Sequence, residues 1–577
     1  MVNFNLECLN PKSEFIIPKP AGLTNPRIAN LAGKTVAVIW CGKAGGENFL
    51  DVISALLKKK FPKTKVMRFI WGVPNALENI LKQTDMFIYG VGDSGIGAWE
   101  STARTVSVEK LGKPGVVIFA EHLIPNAIDA AYAQGLPGVR MVTVPSMEYY
   151  PTRQNVQLVR PCAEKVFDNI VKALTTPITR QEANPQPRSK SKLAKIEKFT
   201  GKTYAEAYEK FNRVFLEHHC GDGLPLVPPT KPAVAEMLTG TKLSPDTLIG
   251  TLPSPDGLAQ IGKLTVEKIA VNAVMAGAKP EYLPVIIAAM EGLSDKNFSP
   301  HVYTSEGSFT IVISISGPIA KKIKMHAGYG LFGHGFRPNN TIGRACRLCL
   351  INLGHLWPGE YDLALNGRPN SHTFYVFSEN EEYLPWEPYH VVNGYKAKDS
   401  CVTVDTVGFG YIKNYGGGTV APWTPEGVLN DIIKDVGAGR RFFAGYRAGI
   451  GTIAAQPVKH IFILHPEMAN ELKKMGFTGK TLKKHIIDTT SVPFVDLTKE
   501  EIEGIKARLT DTGEAFFGTG FIPKEQAKIF EANLKPGGKL PTLASPDDLN
   551  IFVAGGLTGY TFGMTYMHGA HQTKKVR

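Results

Sequence analysis

Long hydrophobic runs are missing from this chain. No stretch of about eighteen or more apolar residues occurs, so no transmembrane helix is expected. The opening "MVNFNLECLNPKSEF" has no basic stretch followed by an apolar one, so no secretory signal is expected. Cysteine is sparse. Seven in 577 residues is an odd count, which argues for reduced thiols in the cytoplasm and against a disulfide framework. Zinc-finger spacing, aromatic RNA-binding motifs and basic heptads are absent too. The net charge of +13 is therefore read as a basic surface that attracts an anionic small molecule, with no nucleic-acid or membrane partner.

What is present is alternation. "KTVAVIW", "TKVMRFIW", "DMFIYGVG", "PGVVIFAEH" and "VRMVTVPSM" read as strands. Helical patterns such as "NFLDVISALLKKKF" and "PNAIDAAYAQG" lie between them, and "QLVRPCAEKVFDNIVKAL" closes the series. Strand–helix alternation with short loops implies right-handed crossovers and an open parallel sheet, here a flavodoxin-like α/β domain over residues 34–175. Residues 1–33 read as an extended arm. Residues 176–200 are rich in Pro, Ser and Lys and read as a linker. Residues 201–577 read as a larger mixed α/β domain, with room for two subdomains.

An open parallel sheet binds ligands beyond the carboxyl ends of its strands, where the strand order reverses. With the order 2-1-3-4-5, "CGKAGGEN" (41–48) and "GDSGIG" (92–97) share one crevice, so Cys41 and Ser94 would meet. Gly90, Gly92 and Gly95 spell G-x-G-x-x-G, and Glu121 ends the next strand, which mimics a dinucleotide fingerprint. That pattern belongs after the first strand and here follows the third. NAD(P) or flavin stays a secondary possibility, and no cofactor is the primary expectation. The turn is not a nucleophile elbow either, because Ile96 stands where glycine is needed. Free N–H groups after Ser94 would hold negative charge. Gly95, Gly97 and Glu100 join them as candidate substrate contacts, and the plain alternative is a tight turn capped by Asp93 and Ser94.

The stretch "VGDSGIGAWESTARTVSVEKLGKPGVVI" resembles the signature region of the UGSC family. These bacterial proteins are named for a selenocysteine- or cysteine-Gly-Ser-Cys motif at this turn. "GDGLPLVPPT", "LTVEKIAVNAVMAGAKPEYLPV", "NNTIGRACRL", "YLPWEP" and "AGGLTG" resemble the large domain often joined to it. The resemblance puts Ser94 where the family has its chalcogen residue and Gly97 where it has its second cysteine. A dithiol or selenol–thiol cycle cannot run through these two residues.

Other groups carry candidate chemistry. Cys41 heads a glycine-rich loop beside Lys43, whose ammonium would favour a thiolate; the alternative is a small buried residue at a strand end. "EHHCGDGLP" crowds His219, Cys220 and Asp222 into one turn, with poor spacing for one metal ion, so no metal is expected. "GHGFRPNN" and the following helix offer His334, Arg337 and Arg344 to a carboxylate or phosphate. Glu267 and Asn272 lie on a mainly apolar helix, as structural ties or as site residues. Cys346 and Cys349 form a C-x-x-C inside an apolar pattern and read as core.

Together these point to a cytoplasmic, homo-oligomeric enzyme of lyase or hydrolase type. Cys41 or Cys220 would be nucleophile or acid–base group, Asp93 and Ser94 would hold the substrate, and His219 and Asp222 would move protons. A thiol- or NAD(P)-dependent oxidoreductase and a ligand-binding protein without catalysis are the alternatives.

Overall fold

The computed structural model describes residues 4–71, 76–187, 193–255, 259–298, 301–304, 306–413, 424–438, 459–509, 524–543, 545–557, 561–566 and 571–577. After β1 (Phe4–Leu9) come β2 (Thr35–Trp40), β3 (Lys65–Ile70), β4 (Met86–Gly92), β5 (Gly115–Ala120) and β6 (Met141–Val144). The last five form one parallel sheet in the order β3-β2-β4-β5-β6, the 2-1-3-4-5 order expected for the domain.

Alternation along β2 shows why both faces need helices. Val36, Val38 and Trp40 enter the core that α1 (Gly46–Lys60) and α6 (Val156–Thr175) cover. Ala37, Ile39 and the following Cys41 face the other way, with Ile80 of α2 (Ala76–Gln83). On that second side lie α3 (Gly95–Lys110) and α4 (Ile124–Ala133), and α5 (Ser146–Thr152) follows β6.

Helix α3 is buried around most of its circumference. A helix covered on one side only would show a single apolar stripe. Here one side meets the sheet, and Ile96 and Trp99 join a core built mainly by residues beyond 200, with Trp99 5.4 Å from the ring of Tyr361.

The N-terminal arm is held in place rather than simply extended. β1 pairs antiparallel with β7 (Ile196–Gly201). The amide of Ser13 donates to Asn352, that of Ile16 to Ile261, that of Ala21 to Gly135 and that of Leu23 to Glu182. The extended backbone thus satisfies its polar groups on both halves of the protein. Within 176–200, α7 (Arg180–Ala183) carries a capping box from Thr179 and Glu182, and Glu182 is gripped by Arg140. Residues 188–192 lie outside the described residues.

The later half begins with α8 (Tyr204–Glu217) and α9 (Lys231–Leu238), then a hairpin of β8 (Leu248–Pro253) and β9 (Gln260–Thr265). α10 (Val266–Met275), α11 (Leu283–Leu293) and α14 (Arg337–Leu353) pack together; between the last two come α12 (His301–Thr304), β10 (Thr310–Ser316) and α13 (Pro318–Lys322). β10 pairs with β11 (Tyr375–Ser378) and β12 (Cys401–Val407). β13 (Phe409–Lys413) and β14 (Lys459–Leu464) belong to a second four-stranded sheet, and Val312, Phe377, Ile461 and Phe552 share the core between the two sheets. The basic tail ends as a strand beside β12, where Lys574 pairs with Asp295, Lys575 with Asp399 and Arg577 with Glu291. No helix among the described residues is long and apolar enough to cross a membrane.

Candidate functional site

The switch point lies between β2 and β4, as the order requires. Cys41 and Gly90 join the two strand ends through an N–H···O bond of 3.1 Å, and the Cys41 thiol donates to the Val91 carbonyl at 3.2 Å. Trp40 Nε1 donates to the Lys43 carbonyl at 2.8 Å and folds the 41–48 loop back on itself. Ser94 caps α3: its hydroxyl accepts the Gly97 N–H at 3.1 Å.

The glycines of the 92–97 turn answer to packing. A Cβ on Gly92 would lie 2.9 Å from the Gly97 carbonyl oxygen, and one on Gly95 would lie 2.9 Å from Leu363. The first lets α3 sit against its own strand, and the second lets the later half approach. The dinucleotide-like spelling thus has a structural cause in this chain.

Nor is the start of α3 free. Glu306, just beyond α12, sends its carboxylate to the Ile96 N–H at 3.0 Å. With Gly97 capped by Ser94, the anion seat expected for a ligand already holds a side chain from the other half. This corrects the expectation of free N–H groups there: a helix N-terminus attracts negative charge, and the nearest carboxylate is internal.

Asp93 is engaged as well. Its carboxylate pairs with Arg153 at 2.7 Å and its carbonyl accepts from the Tyr150 hydroxyl at 2.5 Å. Burial, the largest influence, holds the Asp93 carboxyl above the ordinary range, against the pull of Lys43 and Arg153. Lys43 is different. Burial works against its charge, yet Asp93, Glu306, Cys41 and Glu100 together leave its pKa raised, so it stays an ammonium. Its ammonium is buried and makes no hydrogen bond and no ion pair within 4 Å among the described residues. Glu100 is buried, with Arg104 Nε 3.9 Å from its carboxylate.

The thiol expectation reverses. Cys41 is only 5 % exposed, and burial pushes its thiol up to about 12, which outweighs the help from Lys43. Cys220 is core, with its thiol likewise pushed up to about 12 by burial. Cys346 and Cys349 are core residues as the sequence reading has them. All seven cysteines are free and buried.

The remaining candidates are tied into structure. Asp222 and Arg344, read as proton donor and substrate contact, instead hold one another in two bonds of 2.8 and 2.9 Å. Arg344 also donates through Nη2 to the Leu224 and Pro225 carbonyls, which ties it to the 222–225 turn. His219 stacks on Trp357 at 4.0 Å and lies 3.3 Å from Glu360. Asn272 is a buried tie that donates to the Pro11 carbonyl and accepts from Asn352. Glu267 lies half-buried in the first turn of α10. Arg337 is exposed and donates to the Gly277 carbonyl, and His334 is exposed. Among the described residues no hydrogen bond, ion pair or ring contact joins any of these to the loops at 41–48 and 92–97.

Sequence reasoning passed over the other two strand ends. After β5 comes His122, and after β6 come Ser146, Tyr150 and Arg153. The same carboxyl-edge rule that singled out Cys41 and Ser94 would have found them. His122 Nδ1 lies 2.7 Å from the Ser146 hydroxyl, and its ring lies 5.8 Å from Tyr150. Glu306 carries no such signal, since it enters from 210 residues away. Among the described residues no three His, Cys, Asp or Glu side chains converge as a metal site.

No curated protein and no solved structure matches the chain. One family model does match, over residues 16–176, a span that runs from the N-terminal arm through the whole parallel sheet to the end of α6. That model is of the UGSC family, so the sheet domain, with Lys43 at its carboxyl edge, is similar to the UGSC family.

Proposed function

We propose that the carboxyl edge of the parallel sheet binds a small anionic or carbonyl-containing metabolite and carries out polar chemistry on it, of lyase or hydrolase type. The single observation behind this reading is Lys43, an ammonium kept charged at the switch point with no hydrogen-bond partner of its own among the described residues. Such a group receives a carboxylate or polarises a carbonyl. Asp93, with its pKa raised by burial, is suited to exchange a proton in the same crevice. Arg153 and Tyr150 orient it.

Thiol redox chemistry is disfavoured by the sulfurs themselves: every cysteine is buried, and burial raises every thiol pKa. Buried, unpaired thiols also suit a cytoplasmic protein. A second reading, ligand binding without turnover, draws support from Glu306, which fills the anion seat that catalysis on an anion would use.

Calorimetric titration with a panel of small dicarboxylates and 2-oxo acids tests the proposal. At least one should bind, and Lys43→Met should weaken it by tenfold or more, the loss of a hydrogen bond to a charged group being about 1.5–3 kcal/mol. Binding that ignores Lys43→Met, or a nicotinamide or flavin chromophore that co-purifies, counts against it.

A further inference from the structure

We propose that Ser146 and His122 form a nucleophile–base pair that transfers an acyl group from an ester or thioester of a small anionic acid to water. The inference rests on the reading of this edge as the ligand site and names the substrate class for it.

The pair is assembled by the fold. His122 follows β5 and Ser146 follows β6, neighbouring strands whose carboxyl ends open onto the same edge as Lys43. The Ser146 hydroxyl lies 2.7 Å from His122 Nδ1, within the reach a nucleophile needs from its base. Glu121 accepts the Ser146 N–H at 3.2 Å and fixes the start of α5 beside the imidazole. The link to the crevice runs through Tyr150, whose ring lies 5.8 Å from His122 and whose hydroxyl is bonded to Asp93. A ligand with its anionic end at Lys43 would extend along this edge toward the pair. His122 is exposed and Ser146 beside it is 8 % exposed, so a substrate would reach the hydroxyl from the imidazole side.

The chemistry balances without a further reactant. With the imidazole proton on Nε2, Nδ1 accepts the hydroxyl proton as Oγ attacks the carbonyl carbon. The C–O or C–S bond to the leaving group breaks, and the leaving alcohol or thiol takes that proton from His122. Water then attacks the acyl-serine, gives one proton to Nδ1, and the acid departs as Oγ recovers a proton.

A neutral alkyl fluorophosphonate reads the pair directly, because serine attack on phosphorus expels fluoride and leaves a mass tag. Native protein should carry the tag on Ser146 by peptide mass spectrometry, and Ser146→Ala should not. His122→Asn places an amide where Nδ1 sits and keeps the hydrogen bond without the basicity. It should slow labelling by about a hundredfold or more, the contribution of a positioned base. If His122→Asn proves unstable by circular dichroism, His122→Phe, which fills the place of the ring without a base, gives the same reading.

Absence of the tag from Ser146 in the native protein overturns the pair, and so does a labelling rate that His122→Asn leaves unchanged. Dicarboxylate titration of the same samples reports the ligand site separately. No tag beside intact Lys43-dependent binding overturns the pair alone, and a His122-dependent tag without such binding overturns the ligand reading alone.

Discussion

Glu306 offers the sharpest test of how the two halves meet. Its carboxylate accepts the Ile96 N–H at 3.0 Å at the start of α3 and also helps keep Lys43 charged. Glu306→Gln and Glu306→Ala separate these roles. The glutamine variant retains an acceptor for Ile96 and loses the charge. The cost is then the interaction of an anion with the helix start, about 0.3–1 kcal/mol. The alanine variant also leaves the Ile96 N–H without its partner, which adds about 1–3 kcal/mol. Thermal melting should therefore place wild type highest, Glu306→Gln next and Glu306→Ala lowest, with the larger drop at the second step. Both variants should lower the Lys43 pKa, since a negative neighbour is gone, and amine-reactive labelling against pH reads that shift. Both should also bind anions more tightly. A ligand charge about 5 Å from Glu306, at an effective dielectric near 20, is repelled by about 3 kcal/mol, on the order of a hundredfold in Kd. Equal melting of all three proteins, with an unmoved Lys43 and unchanged anion binding, would refute the seating of Glu306 at α3.

Two further outcomes follow from the same chemistry. The buried thiols have folded pKa values raised well above that of an exposed cysteine, to about 12 at Cys41 and Cys220, so the unfolded chain ionises first as pH rises. Their contribution is whole below about pH 8.5 and is lost as pH climbs toward 12; urea melts should show stability falling across that window, and Cys41 should resist iodoacetamide until the protein unfolds. At the other site, Asp222→Ala leaves Arg344 without its carboxylate and should cost about 3 kcal/mol. Because Arg344 holds the Asp222 carboxyl below its ordinary value despite burial, the wild-type contribution is present above about pH 4 and fades as pH falls further, which acid titration of both proteins would show.

Much of the first half could be read from local pattern. Apolar runs at period two, helical runs between them and short loops left one economical topology, and the crevice between the ends of β2 and β4 followed from it. The roles of residues within that crevice did not. Cys41 looked activated because Lys43 is its neighbour in sequence; burial, which depends on everything packed around the strand end, outweighs that neighbour. Asp222 and Arg344 each looked like a free site group, and a separation of 122 positions along the chain hides the fact that they pair with each other. His122 and Ser146 lay in plain view at two strand ends, and each looked ordinary until the pairing of β5 with β6 brought them together.

The sequence by itself determined the α/β alternation, the parallel sheet and the place of its switch point, because periodicity, turn chemistry and crossover handedness act over a few residues at a time. Only the tertiary structure decided what occupies that place. Glu306 at the start of α3, the arm of residues 4–23 across both halves and the buried charge of Lys43 all depend on groups that meet through space. Burial and Coulomb energy are set by those meetings, and no local stretch of sequence contains them.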